Sequence, residues 1–349
     1  MAATARAVVM IGQRFEVREY PIPEPAPGTL LLRQELAGIC GTDVHNWERH
    51  TFTQPMLLGH ENVGVIERLG EGVECDARGR PLRVGDRVVF APGAQGGAYG
   101  FFPAEPEPYF RGGFAEYVYL CQPETTVVKT ALPAEVAVLA EPFSVGVHGV
   151  TRSEMQIGDT VIVQGSGAIG LLTLAAARMR GAGRILCVGG PARRLALARR
   201  LGADAVIDIT EVRDPAQREA LVREWAPVGA DVVFECTGFL DALPQGLAML
   251  RRGGTYVAMG YFVDVGSLEF NPNQMLMRKN LRLEAVWGYG GRDLFLRAFS
   301  LLERNEYPFS DLVDPILPLE RAAEGFRALS GGYRLEGREV IKVALAGSR

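Results

Sequence analysis

Histidine is the scarcest reactive side chain here, with four copies at His45, His50, His60 and His148. Cysteine is almost as sparse, and its five copies (Cys40, Cys75, Cys121, Cys187 and Cys236) are odd in number and lack framework spacing. That excludes a disulfide scaffold and points to reduced thiols in a cytoplasmic setting. No apolar run approaches the roughly 18 residues that a membrane-spanning helix needs, and the N-terminal stretch lacks a signal-peptide layout. A net charge of -4 gives no reason to expect nucleic acid or an anionic membrane as partner. Internal repeats and low-complexity tracts are missing too.

What remains is ordinary globular composition, 48% hydrophobic and 22% charged, in 349 residues. That length suggests two domains. Residues 1–90 read as short strands separated by Gly/Pro turns, which predicts a compact β-barrel-like body. Residues 91–113 form a Gly/Pro/aromatic loop without periodicity. From residue 133 the pattern turns helical. From 160 to about 287, strands alternate with helices, which predicts a doubly wound parallel sheet of six strands. Two further helices and a strand follow residue 290.

The alternating region is organised around Gly165-Ser166-Gly167-Ala168-Ile169-Gly170, which follows the apolar strand Val161–Val163 and opens an Ala/Leu-rich helix. Gly165 permits the tight turn, Gly167 lets the backbone approach a pyrophosphate, and Gly170 allows close helix–sheet packing. The helix N-terminus adds free N–H groups and a positive dipole end. A dinucleotide is the expected ligand. About twenty residues on, the next strand ends in Gly189-Gly190-Pro191-Ala192-Arg193-Arg194. An acid that would bind the ribose hydroxyls of NAD is missing there, the small residues leave room, and guanidinium groups pair well with phosphate. The expectation is NADP in preference to NAD, with Gly189, Arg193 and Arg194 at the adenosine ribose.

The β-rich half holds Cys40-Gly41-Thr42-Asp43-Val44-His45 and Gly59-His60-Glu61, and Glu141-Pro142 comes later. Thiolate, imidazole and carboxylate together suit zinc. Glu61 and Glu141 sit among apolar neighbours, where an unpaired carboxylate is costly.

In this order, CGTDVH, GHENVGVIERLG, GDRV, GGFAEYV, AEPFSVGVHG, GSGAIG and ECTG resemble the zinc-dependent medium-chain alcohol dehydrogenases over nearly the whole chain. The AEP segment is more similar to the sorbitol, threonine and polyol branch than to the ethanol branch. The resemblance implies a GroES-like β-barrel catalytic domain (1–150 and 290–349), an inserted Rossmann domain (151–289) and an active-site cleft between them. It also implies a homodimer or homotetramer. Cys40, His60, Glu61 and Glu141 would form the catalytic zinc environment, with the directly ligating carboxylate left open. Thr42 would relay a proton and His45 would pass it to solvent, while Lys342 falls near a basic position that contacts the pyrophosphate. The implied reaction exchanges hydride between a secondary alcohol or ketone and NAD(P). A zinc-free quinone or enoyl reductase of the same superfamily, or a non-enzymatic nucleotide-binding protein, is the alternative.

Two departures sharpen the expectation. Residues 91–113 contain no cysteine, so the four-thiolate structural zinc of many relatives cannot form there, and one metal per chain is expected. Phe101, Phe102, Tyr109 and Phe110 would pack that lobe instead, or alternatively reach the substrate cleft or a subunit interface. Where sorbitol-type enzymes present an arginine to the polyol, this chain has Trp287-Gly288-Tyr289. A less polar or differently shaped alcohol is therefore expected.

Overall fold

The structure is a computed structural model that describes residues 3–261 and 263–347. Its contacts divide the chain into two units. One comprises Met1–Glu141, Gly291–Asn305 and Phe309–Arg349; the other comprises Pro142–Gly290 and Glu306–Pro308. The first division falls inside the helix Ala140–Arg152, nearer the N-terminus than the sequence suggests.

The discontinuous unit is built on antiparallel strands. Leu30–Gly38 is its central strand and pairs with Glu61–Leu69, Tyr117–Leu120 and Lys342–Ala346. Arg87–Phe90 and Val127–Lys129 extend the sheet on one side, and Val313–Pro318 closes the other. Leu30, Leu32, Ile66, Val88, Phe90 and Val118 are buried together on one face. Leu31, between two of them, is equally buried but joins the opposite cluster with Ala7, Val9 and Leu57, so successive residues of Leu30–Gly38 serve two cores and only Arg33 and Glu35 are more exposed. A second sheet takes the order Arg14–Pro21, Thr4–Ile11, Met56–Leu58 and Phe101–Pro103. That last strand lies in the stretch that showed no periodicity. So does the missed helix Gly41–Glu48 lie in a stretch read as strands alone.

The other unit holds six parallel strands in the spatial order Ala205–Asp208, Arg184–Gly189, Thr160–Gln164, Ala230–Glu235, Leu250–Ala258 and Arg282–Ala285. In chain order this is 3-2-1-4-5-6, the doubly wound Rossmann topology, with the reversal beside Thr160–Gln164. The expected α/β class, barrel plus parallel sheet, is what the chain adopts. Strand interiors such as Val161, Ile162, Val163, Val233 and Phe234 are fully buried, as strands covered on both faces must be.

Candidate active site

Cys40 ends the strand Leu30–Gly38 two residues on and caps the helix Gly41–Glu48. Its backbone N–H donates to Asp43 Oδ2 at 3.0 Å, so the aspartate three residues later fixes the start of the helix. His60 and Glu61 lie where Glu61–Leu69 begins, and Gly38 pairs with Glu61 across the ladder. Register therefore brings the thiol to the histidine and the acid. One ligand atom each from Cys40, His60 and Glu61 lies within 4.8 Å of the others.

The surroundings fit a cation. Glu61 is fully buried; Oε1 takes a hydrogen bond from Lys342 Nζ, while Oε2 has no partner. Buried acceptors without a donor are costly, and a metal satisfies one directly. Asp43 is fully buried as well, and its Oδ1 lies 3.4 Å from His60 Nδ1. A carboxylate behind the imidazole fixes ring orientation and leaves the other nitrogen for a metal. Asp43 is the functional residue that the ligand pattern missed, although its spacing from Cys40 carries a capping signal.

The electrostatics are those of a crowded buried cluster. Burial opposes charge on His60, but Asp43 and Cys40 outweigh it and hold the imidazole pKa well above its ordinary value. Burial pushes the Glu141 carboxyl up to about 7, with His60 opposing the shift and Glu61 adding to it. For Lys342, burial works against the ammonium, and the attraction of Glu61 and Cys40 raises its pKa regardless. A divalent cation in the cluster favours neutral imidazole and ionised carboxylate and thiolate.

Thr42 lies in the first turn of the helix Gly41–Glu48, with Oγ1 3.7 Å from Cys40 Sγ. His45 is one turn further along the same face, partly exposed, with Nδ1 3.4 Å from Glu48 Oε2. Lys342 has a partner that the sequence did not reveal. Expected at a pyrophosphate, its side chain is buried in the barrel-like unit and its ammonium is paired with Glu61. It is the counter-charge of that buried carboxylate.

In the parallel-sheet unit the glycine turn is built for a phosphate group. Gly165 has φ +109°, a conformation open to glycine, and a Cβ on Gly170 would meet the Gly165 carbonyl oxygen at 2.0 Å. Gly167 caps the helix Ala168–Arg180 without side-chain help, and a Cβ there would meet nothing within 4 Å. The helix end is left open for a ligand, with Ala168 and Ile169 half-buried in its first turn. Gly189 packs closely on the turn: a Cβ there would come within 2.5 Å of Ser166 Oγ. That hydroxyl donates to Gly190 O at 3.0 Å and accepts from Gly190 N–H at 2.9 Å. An acid also stands near, because Asp208 Oδ1 would lie 2.9 Å from a Cβ on Gly190. Arg193 is exposed at the start of the helix Ala192–Arg200, whereas Arg194 is buried.

Residues 26–134 match the alcohol dehydrogenase GroES-like domain family and residues 168–304 match the zinc-binding dehydrogenase family. The chain belongs to the zinc-dependent medium-chain alcohol dehydrogenase family. It is 31% identical to 5-exo-hydroxycamphor dehydrogenase of Pseudomonas putida, covering 94% of this chain and 96% of that protein. Identity to human sorbitol dehydrogenase is also 31%, covering 92% and 91%. A protein described as a zinc-binding dehydrogenase of Sinorhizobium meliloti, solved bound to NADP, superposes with a TM-score of 0.82 at 26% identity, covering 99% of each chain. Within the family the chain sits with the polyol branch. Membership makes it an oxidoreductase that interconverts an alcohol and its ketone by hydride exchange with a nicotinamide cofactor.

Proposed function

We propose that the chain oxidises a secondary alcohol of low polarity, with one zinc per chain held by Cys40, His60 and Glu61 and with Glu141 completing the acidic environment. The observation that carries this reading is the convergence of a thiol, an imidazole and a carboxylate within 4.8 Å in a buried site. Bound zinc supplies a Lewis acid that lowers the pKa of an alcohol oxygen. The residues of the chain do the rest. Asp43 orients His60, and Lys342 supplies the buried Glu61 carboxyl with a counter-charge. Thr42 hands the released proton along the helix face to His45, whose partly exposed ring meets solvent.

The cofactor of this reading is NADP. Support comes from the exposed Arg193, and from the relative solved with NADP. Asp208 beside Gly190 works against it, although its Oδ1 already accepts from the N–H and hydroxyl of Thr210. Gly288 stands where sorbitol-type enzymes carry an arginine for a sugar alcohol, Trp287 beside it is 75% exposed, and one relative is a 5-exo-hydroxycamphor dehydrogenase. A cytoplasmic homodimer or homotetramer is the form in which we expect it to work.

Zinc per chain, measured by plasma emission on protein never exposed to chelator, tests the reading. One equivalent is expected. Its absence would move the chain to the zinc-free reductases.

A further inference from the structure

The cysteine-free loop does more than pack itself. Phe102 turns into the lobe, edge-on to Tyr99 at 6.2 Å and beneath the Arg111 guanidinium at 4.4 Å. Tyr109 stacks on Tyr20 at 4.7 Å, and Phe110 is buried edge-on to the same ring. These three do what lobe packing predicts. Phe101 lies on the opposite face of the strand Phe101–Pro103, as the pleat demands. Its ring stacks on the His60 imidazole, with centroids 4.8 Å apart and planes 29° apart.

The backbone fixes that placement. Phe101 pairs with Leu58, two residues before His60, so the aromatic strand runs beside the segment that presents the histidine. Gly100 has φ +88°, and a Cβ there would meet the Gly59 carbonyl oxygen at 2.6 Å and the His60 nitrogen at 2.8 Å. Chain against chain at that distance leaves no freedom for the phenyl ring to drift. His60 thus has the Asp43 carboxylate 3.4 Å from Nδ1 and the Phe101 ring across its face. Phe101 is also only half-buried, unlike Phe110 and Phe114, so part of an apolar ring is exposed beside the metal ligand.

We propose that Phe101 is a positioning residue for the metal ligand His60 and presents an apolar wall to the alcohol, selecting against polyols. The proposal rests on the zinc reading above. In the full-length zinc enzyme, Phe101→Leu keeps apolar bulk but removes the stack. It should release zinc to excess dipicolinate about 10–100-fold faster than wild type. Its cobalt-substituted form should show shifted ligand-field bands. KM for a bulky apolar secondary alcohol should rise more than that for a polyol. Phe101→Tyr should restore zinc retention to within about twofold, because the stack survives. If Phe101→Leu has no cooperative melting transition, Phe101→Met takes its place as an adaptable apolar replacement. Zinc release within about twofold of wild type in the non-aromatic variant, with an unchanged cobalt spectrum, would overturn the proposal. Wild-type protein without zinc overturns the metal reading itself, a separate outcome.

Discussion

At the scale of single residues, the site depends on one ligand and one support being distinguishable. Cys40→Ser removes the thiolate but leaves the glycine turn of the other unit alone. We expect turnover, followed at the nicotinamide absorbance, to fall below detection while the dissociation constant for nucleotide stays at its wild-type value. Asp43→Asn keeps size but drops the charge facing His60. Metal affinity, read by chelator competition, should fall roughly 10–100-fold, as for other carboxylates behind a ligating imidazole. Arg193→Ala tests the cofactor. Losing a guanidinium from a phosphate should weaken NADP binding by about tenfold, roughly 1.4 kcal/mol, and leave NAD binding unchanged. Equal losses for both nucleotides would remove the argument for NADP.

At the scale of elements, much of the fold was legible because its signals are local. Apolar runs of four to six residues between helical stretches announce a parallel sheet, and Gly165, Gly167 and Gly170 mark its first turn. Phe101–Pro103 was illegible because its three residues are too short to show a period and its partner Met56–Leu58 is 43 to 47 positions away. The helix Gly41–Glu48 was hidden among strands, though the Cys40–Asp43 spacing announces its start. Partners distant in sequence were the hardest to foresee, and Lys342 on Glu61 is the clearest case. Asp76 shows how a loop without regular structure is held. Its carboxylate accepts from the N–H groups of Arg78, Arg80 and Lys129 at 2.9, 2.9 and 3.0 Å and from Arg80 Nε at 2.8 Å. Burial works against that charge, but the donors outweigh it and lower the pKa. Because the folded value is the lower one, this stabilisation is complete above the unfolded pKa and is lost as pH falls through the folded pKa. Asp76→Asn should cost about 2–4 kcal/mol in urea unfolding at neutral pH, with the difference narrowing in acid.

At the scale of the whole molecule, we expect metal and fold to be separable. The lobe that would otherwise carry four thiolates is filled by Tyr99, Phe102, Phe110 and Arg111. Stripping zinc with dipicolinate should therefore abolish turnover while the far-ultraviolet circular dichroism spectrum stays native. Loss of the helix and strand signal on chelation would show that a metal is holding the fold together.

The pairing of Lys342 with Glu61 spans 281 residues, with an entire parallel sheet encoded in between. On the ribosome, Glu61 emerges long before its counter-ion, and the strand Lys342–Ala346 follows the whole of the parallel sheet. A nascent chain can finish the inserted unit while the first one still lacks a strand, so ordered synthesis separates the two folding events in time. The buried carboxylate meets its counter-ion only after the parallel sheet has been made, so this part of the reactive centre is completed after the inserted unit.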